Sequence, residues 1–122
     1  MLQKDGRASN ASIAREVGVS EGTVRRRLKR LVDEHYISVV AMLDPGKIGF
    51  GSEALIGVQV DPDRIDGVSD DLASLEEIGW VAITTGSYDL FAWVTLESPE
   101  ALGLFLRSKV GRIPGVRRTE TF

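Results

Sequence analysis

Cysteine is absent from this 122-residue chain, and histidine occurs once. Without thiols there is no disulfide, thiolate nucleophile, zinc ribbon or iron–sulfur cluster, and a reducing compartment is the default. A single histidine nearly removes the His-based metal sites and catalytic triads. Long apolar runs are missing too. The longest, Val39–Leu43 and Leu90–Val94, are five residues each, where a membrane span needs about 20 and a signal core about 7–15. No segment is of low complexity. What remains is 43% apolar and 27% charged, near globular averages and sufficient for one or two small domains. These absences predict a soluble cytoplasmic protein that is not an enzyme, spans no membrane and carries no metal or cofactor.

The charge that is present is unevenly placed. The net charge is −3. Residues 1–36 nevertheless hold eight basic and five acidic side chains, a balance of +3, and the other 86 hold seven and thirteen, a balance of −6. A small basic head on a larger acidic body suggests that the head meets a polyanion while the body has another task.

Periodicity divides the chain at the same place. Ser9 or Asn10 can cap a short helix bearing Ile13, Ala14 and Val17, and Gly18 suits its left-handed end. Ser20 is a second cap, and from Glu21 the spacing of Val24, Leu28 and Leu31 is that of an amphipathic helix. Two short helices joined by a Gly-containing turn form a helix-turn-helix. His35 to Met42 is β-prone and predicts a wing or exit strand. The Gly/Pro cluster around Asp44–Gly51 marks a linker. The expected division is therefore a DNA-binding unit with exit strand over 1–42, a linker over 43–52, and a second domain over 53–122. In that domain strands are expected at Ala54–Val60, Trp80–Thr85, Leu90–Leu96 and Val116–Phe122. Helices are expected around Ile65–Leu75 and from Pro99 to Val110. The order strand, helix, strand, strand, helix, strand predicts a ferredoxin-like α+β unit, an antiparallel sheet with both helices on one face.

That layout leaves one sheet face bare, yet Leu90–Leu96 is apolar on both alternating faces. Phe91 and Trp93 on the bare face would form an adhesive patch, which favours packing on a second copy over cover from the same chain.

Arg25, Arg26, Arg27, Lys29 and Arg30 carry the strongest chemical signal. Turning the second helix with Val24, Leu28 and Leu31 inward puts Gly22, Thr23, Arg26, Lys29 and Arg30 outward, with Arg25 and Arg27 on the flanks. Such a face can lie in a major groove of double-stranded DNA, with Ser20, Gly22 and Thr23 near the end that meets the bases. The competing reading is a solvated basic face, which the position on the second helix of a helix-turn-helix outweighs. Weaker matches count for little. Gly49-x-Gly51-x-x-Ala54 precedes a strand instead of opening a helix, which argues against dinucleotide binding. Asn10-Ala11-Ser12 is a formal glycosylation sequon in a chain with no secretory signal, His35 reads as a helix-end residue, and the acid pairs Asp70-Asp71 and Glu76-Glu77 read as a wet helix face. Gly86-Ser87-Tyr88-Asp89 is read from its chemistry first as a hairpin turn. It also gathers backbone N–H groups, a phenol and a carboxylate able to hold a small zwitterion.

In order along the chain these segments resemble the Lrp/AsnC family of transcriptional regulators. The resemblance rests on Asp5–Ser9, Ile13-Ala14, Val17–Ser20, Thr23-Val24, Arg27, Leu31 and Ile37 in the head. In the body it rests on Asp44-Pro45, Ile48-Gly49, Thr85–Leu90 and Ile113–Val116. It implies an N-terminal DNA-binding helix-turn-helix and a C-terminal ligand-sensing αβ domain that dimerises and often builds octamers. It also implies an amino acid or related metabolite bound between body domains that alters assembly and DNA binding. By position it makes Gly86, Ser87, Tyr88 and Asp89 the leading effector residues, with Thr119 and Thr121 behind them. Against the family pattern the chain reads as shortened at both ends. The expectation is a DNA-binding regulator responsive to an amino acid. The alternative is a small-molecule regulatory domain or an enzyme of amino-acid metabolism without DNA binding.

Overall fold

The computed structural model describes residues 1–122, which form two units, Met1–Leu43 and Asp44–Phe122. In the first, Ser9 lies in extended backbone and accepts the Ser12 amide at 3.1 Å, starting α1 (Asn10–Val17). Gly18 closes the helix at φ 71°, a left-handed conformation that a Cβ would penalise. Ser20 repeats the cap, accepting the Thr23 amide at 3.2 Å, and α2 runs from Glu21 to Asp33. Ala14 and Val24 are the apolar residues these helices bury.

The strand expected over His35–Met42 is not formed; the first strand of the chain begins at Ser52. A strand is stable only beside a neighbour that takes its N–H and C=O groups, and the head holds no second strand. Its β-prone side chains Tyr36, Val39, Val40 and Met42 stand exposed. The head is thus a helix-turn-helix without the expected wing.

The second unit runs β1 (Ser52–Val60), α3 (Ile65–Ala73), β2 (Ile78–Ile83), β3 (Leu90–Leu96), α4 (Pro99–Ser108) and β4 (Val116–Thr121). The sheet order is β2-β3-β1-β4 and every pairing is antiparallel, the ferredoxin-like arrangement expected. Pro99 sits in the first turn of α4, and Ser98 caps it by accepting the Ala101 amide. Alternation sets the two faces of the sheet. Ile56, Val58, Leu90, Ala92 and Val94 point to one side and join Val68, Leu72, Phe105 and Val110 in a single buried cluster. Leu55, Gly57, Phe91, Trp93 and Trp80 point to the other, opposite each other in register. No helix of the structure is long and apolar enough to cross a membrane.

Candidate DNA-contact helix and effector turn

On α2 the cations sort themselves by their neighbours. Arg25 pairs with Glu21 at 3.4 Å, Arg30 with Glu34 at 2.8 Å, and Lys29 with Asp33, each across one helical turn. All six side chains are well exposed, so these pairs hold weakly and can exchange for phosphates. Arg26 has no carboxylate partner; its Nη2 donates to Thr23 Oγ1 at 3.5 Å. Arg27 lines an apolar cleft of about 1020 Å³ in the head, beside Leu28, Leu31 and Val39. Ser20 and Thr23 are occupied in the cap, their hydroxyls 2.8 Å apart. Gly22 has open space where a Cβ would be. The eight residues singled out on this segment therefore differ in what they are free to do: Ser20 and Thr23 form the cap, Gly22 stands open, Arg25, Lys29 and Arg30 are ion-paired, Arg27 lines the cleft, and Arg26 faces outward with no acid partner.

In the body, the segment Thr84–Asp89 is stitched to β1. The Asp89 carboxylate accepts the Val60 amide at 2.9 Å, and the Asp89 amide donates to Val58 O at 3.0 Å. Gln59 Nε2 donates to the Ser87 carbonyl at 2.8 Å, and Thr84 Oγ1 to that of Tyr88 at 2.9 Å. Gly86 takes φ 116°, which only glycine adopts freely. Tyr88 then lies flat across the sheet at Gly57, where an added Cβ would come within 2.8 Å of its ring. Its hydroxyl donates to the Glu120 carboxylate. That hydrogen bond, together with burial and the charge of Glu120, pushes the phenol above its ordinary range, with Arg118 pulling the other way. Around it, Phe91 and Phe122 stand with ring centroids 5.5 and 5.6 Å from that of Tyr88.

Of the proposed effector residues, Gly86, Ser87, Tyr88 and Asp89 are together and Thr119 and Thr121 are apart from them. Thr119 pairs with Val58 and Thr121 with Ile56, so both stand on the helix-covered side of the sheet. Glu120 and Arg118, paired with Gly57 and Gln59, share the open side with Tyr88. Sequence reasoning missed Gly57, Gln59 and Glu120, whose proximity to the turn depends on the pairing of β4 with β1. Phe91 and Trp93 do lie on the open face, and Trp80, also missed, stacks on Trp93 at 6.4 Å and 15°.

Two family models match the chain: winged helix-turn-helix DNA-binding over residues 1–38 and the Lrp/AsnC ligand binding domain over residues 53–122. An uncharacterised HTH-type transcriptional regulator of Pyrococcus furiosus is 41% identical over 98% of this chain and 82% of its own length. An HTH-type transcriptional regulator of Methanocaldococcus jannaschii is 37% identical over 90% and 75%. Among solved structures, E. coli AsnC superposes with a TM-score of 0.82 at 27% identity, over 99% of this chain and 83% of that one. A Neisseria meningitidis transcriptional regulator in complex with L-Met gives 0.85 at 23% identity, over 99% and 80%. A capped helix-turn-helix with a cationic second helix, followed by a ferredoxin-like domain, both matched by these models and relatives over most of the chain, belongs to a DNA-binding transcriptional regulator of the Lrp/AsnC family.

Proposed function

We propose that the chain regulates transcription as a homodimer or larger assembly, without a catalytic step and in the cytoplasm. Residues 1–42 contact the operator, 43–52 link, and 53–122 bind the effector and assemble. The observation that carries the reading is α2, whose outer side offers Arg26, Lys29 and Arg30, with Arg25 on the flank, beyond a cap built by Ser20 and Thr23. In the groove, Gly22 admits the DNA closely, and Arg25, Arg27, Lys29 and Arg30 take phosphates.

The effector is an amino acid or a close relative, held at Gly86–Asp89 with its carboxylate on turn amides and its ammonium at the Asp89 oxygen not used by Val60. Support comes from the L-Met bound by the Neisseria regulator and from the polar set gathered at the turn. The exposed Trp80 with the half-buried Phe91 and Trp93, an apolar patch on the uncovered sheet face, forms the contact with the second copy.

Mobility-shift titration on the DNA upstream of the protein's own gene, at two salt concentrations, tests the first claim. Binding should fall with salt, and the joint change Arg26→Ala and Arg30→Ala should weaken it and, through the phosphate contact of Arg30, flatten the log–log slope by roughly one. Binding unchanged by that pair would overturn the interface. Calorimetry with a panel of amino acids tests the second. Asp89→Asn keeps an acceptor for the Val60 amide and removes the charge, so it should abolish the response without unfolding the sheet; equal affinity would remove Asp89 from the site.

A further inference from the structure

Two cations of α2, Arg26 and Arg27, have no carboxylate partner, and of these Arg27 lines the apolar cleft while Arg26 faces outward. On a helix, a side chain meets those three and four positions away. For Arg25, Lys29 and Arg30 that neighbourhood contains Glu21, Asp33 and Glu34, and the pairs form. For Arg26 it contains Gly22, Thr23, Lys29 and Arg30: no acid, two like charges toward the C-terminus, and a hydroxyl toward the N-terminus. The guanidinium accordingly leans back and donates to Thr23 Oγ1, the direction in which helical side chains tilt. Thr23 is itself held, its amide on Ser20 Oγ at 3.2 Å and its hydroxyl 2.8 Å from the same oxygen. At 100° per residue Arg26 falls almost opposite Val24, Leu28 and Leu31, on the line of closest approach to a groove. Gly22, one turn before it, has nothing beyond its Cα and open space around it.

We propose that Arg26 is the base-reading residue of this regulator. It would take the O6 and N7 acceptors of a guanine in the major groove of each half-site, with Ser20 and Thr23 as the residues that position it. A guanidinium offers two parallel donors to that acceptor pair, the commonest specific contact between a side chain and a base. Arg26 is suited to it because no carboxylate competes for its donors, and the Thr23 hydroxyl, 3.5 Å from Nη2, lies where it can guide the guanidinium. The ion-paired cations have the complementary fate. Each must release a carboxylate to meet DNA, and that carboxylate remains one turn away, repelling phosphate and base acceptors alike. They position the helix on the backbone and carry no sequence information.

The assignment rests on the DNA-binding reading above, and selection from a randomised duplex library followed by sequencing separates the two. The full-length chain should select a motif with a guanine column in each half-site. Arg26→Ala should flatten that column alone and weaken binding to the selected site roughly five- to a hundredfold. Arg26→Lys should also lose the column, since an ammonium cannot make the paired contact. Lys29→Ala should leave every column in place, lower affinity evenly across sequences and reduce the salt slope by about one. Thr23→Val should blur the guanine column and Thr23→Ser restore it, a rescue that a role in helix stability alone would not confine to one base position. Retention of the guanine column by Arg26→Ala overturns the proposal, as does an even loss of affinity like that of Lys29→Ala. If the unaltered chain selects no motif at all, the DNA reading falls as well.

Discussion

Thirteen of the fifteen buried apolar side chains lie in the body, and two, Ala14 and Val24, in the head. The head instead encloses an open apolar cleft of about 1020 Å³ and leaves Leu31, Val32, Val39 and Met42 exposed. Its order is local: two serine caps, a left-handed glycine and ion pairs one turn apart. The body is ordered by pairing between strands distant in sequence over one shared core. A unit built from local devices opens at low cost, and elements that engage a partner are drawn from that end of the stability range. The difference puts the DNA-binding helix-turn-helix on the loosely packed unit and the ligand binding domain on the tightly packed one.

The sharpest way to break that comparison is to delete core volume in each unit. Leu72 is fully buried against the sheet, and Leu72→Ala should cost the body about 2–5 kcal/mol. Val24→Ala removes two methyl groups, about 1.6 kcal/mol at roughly 0.8 each, from a head with nothing else to absorb the loss. Amide exchange should show each variant deprotecting its own unit. If Val24→Ala exposes the amides of β1 and β3 equally, the two units share one core and the contrast fails.

Gly57 tests the open face. An alanine there would meet the Tyr88 ring, and overpacking of this kind costs about 1–3 kcal/mol. The same change should free Tyr88 from Glu120, so that its ultraviolet titration returns toward the ordinary range of a phenol. Tyr88 still titrating high in Gly57→Ala would mean that the ring is held by something other than its seat on Gly57.

These two tests fall on features that differ in how readable they were from sequence. The caps at Ser9 and Ser20 and the turn at Gly18 were legible because each depends on residues within four positions. The order of strands and helices followed from periodicity. The exit strand at His35–Met42 was misread because β propensity names a candidate, and only a partner makes it a strand. The side of the sheet taken by Thr119 and Thr121 was hidden by the register shift between Gln59 and Val60. The shift between Ile78 and Trp80 likewise obscured that Trp80 would meet Trp93. The Tyr88–Glu120 contact spans 32 positions and has no local trace at all.

Acid should act on the body through Glu77, just before β2. Burial works to raise its pKa, and the Lys109 ammonium with a backbone amide outweighs it, leaving the carboxyl below its usual 4.5. A carboxyl lowered on folding contributes stability that is complete above its unfolded pKa and disappears as pH falls through the folded value. Thermal melts should therefore hold from neutral pH to about 5 and decline below 4.5. In Glu77→Gln that part of the decline should be missing. An identical acid profile in the variant would assign the loss to other carboxylates, and with it the tie between the turn after α3 and the end of α4.

The smallest expected effect lies at the end of α2 and has the opposite sign. His35 sits at φ 60°, the only residue other than glycine with a positive φ. The conformation is kept because the His35 and Tyr36 amides turn back to the Val32 and Leu31 carbonyls at 3.1 and 2.9 Å, closing the helix. Glycine adopts that backbone without the crowding of a Cβ, a relief of about 1 kcal/mol, from which its greater freedom in the unfolded chain subtracts. His35→Gly should leave the body's melting unchanged and raise protection of the α2 amides a few-fold. In a head with two buried apolar residues even this gain is measurable; in the body a change of that size would vanish against thirteen. A head destabilised by His35→Gly would show that the imidazole makes a contact worth more than the strain, and that the head is less dependent on its caps than its packing implies.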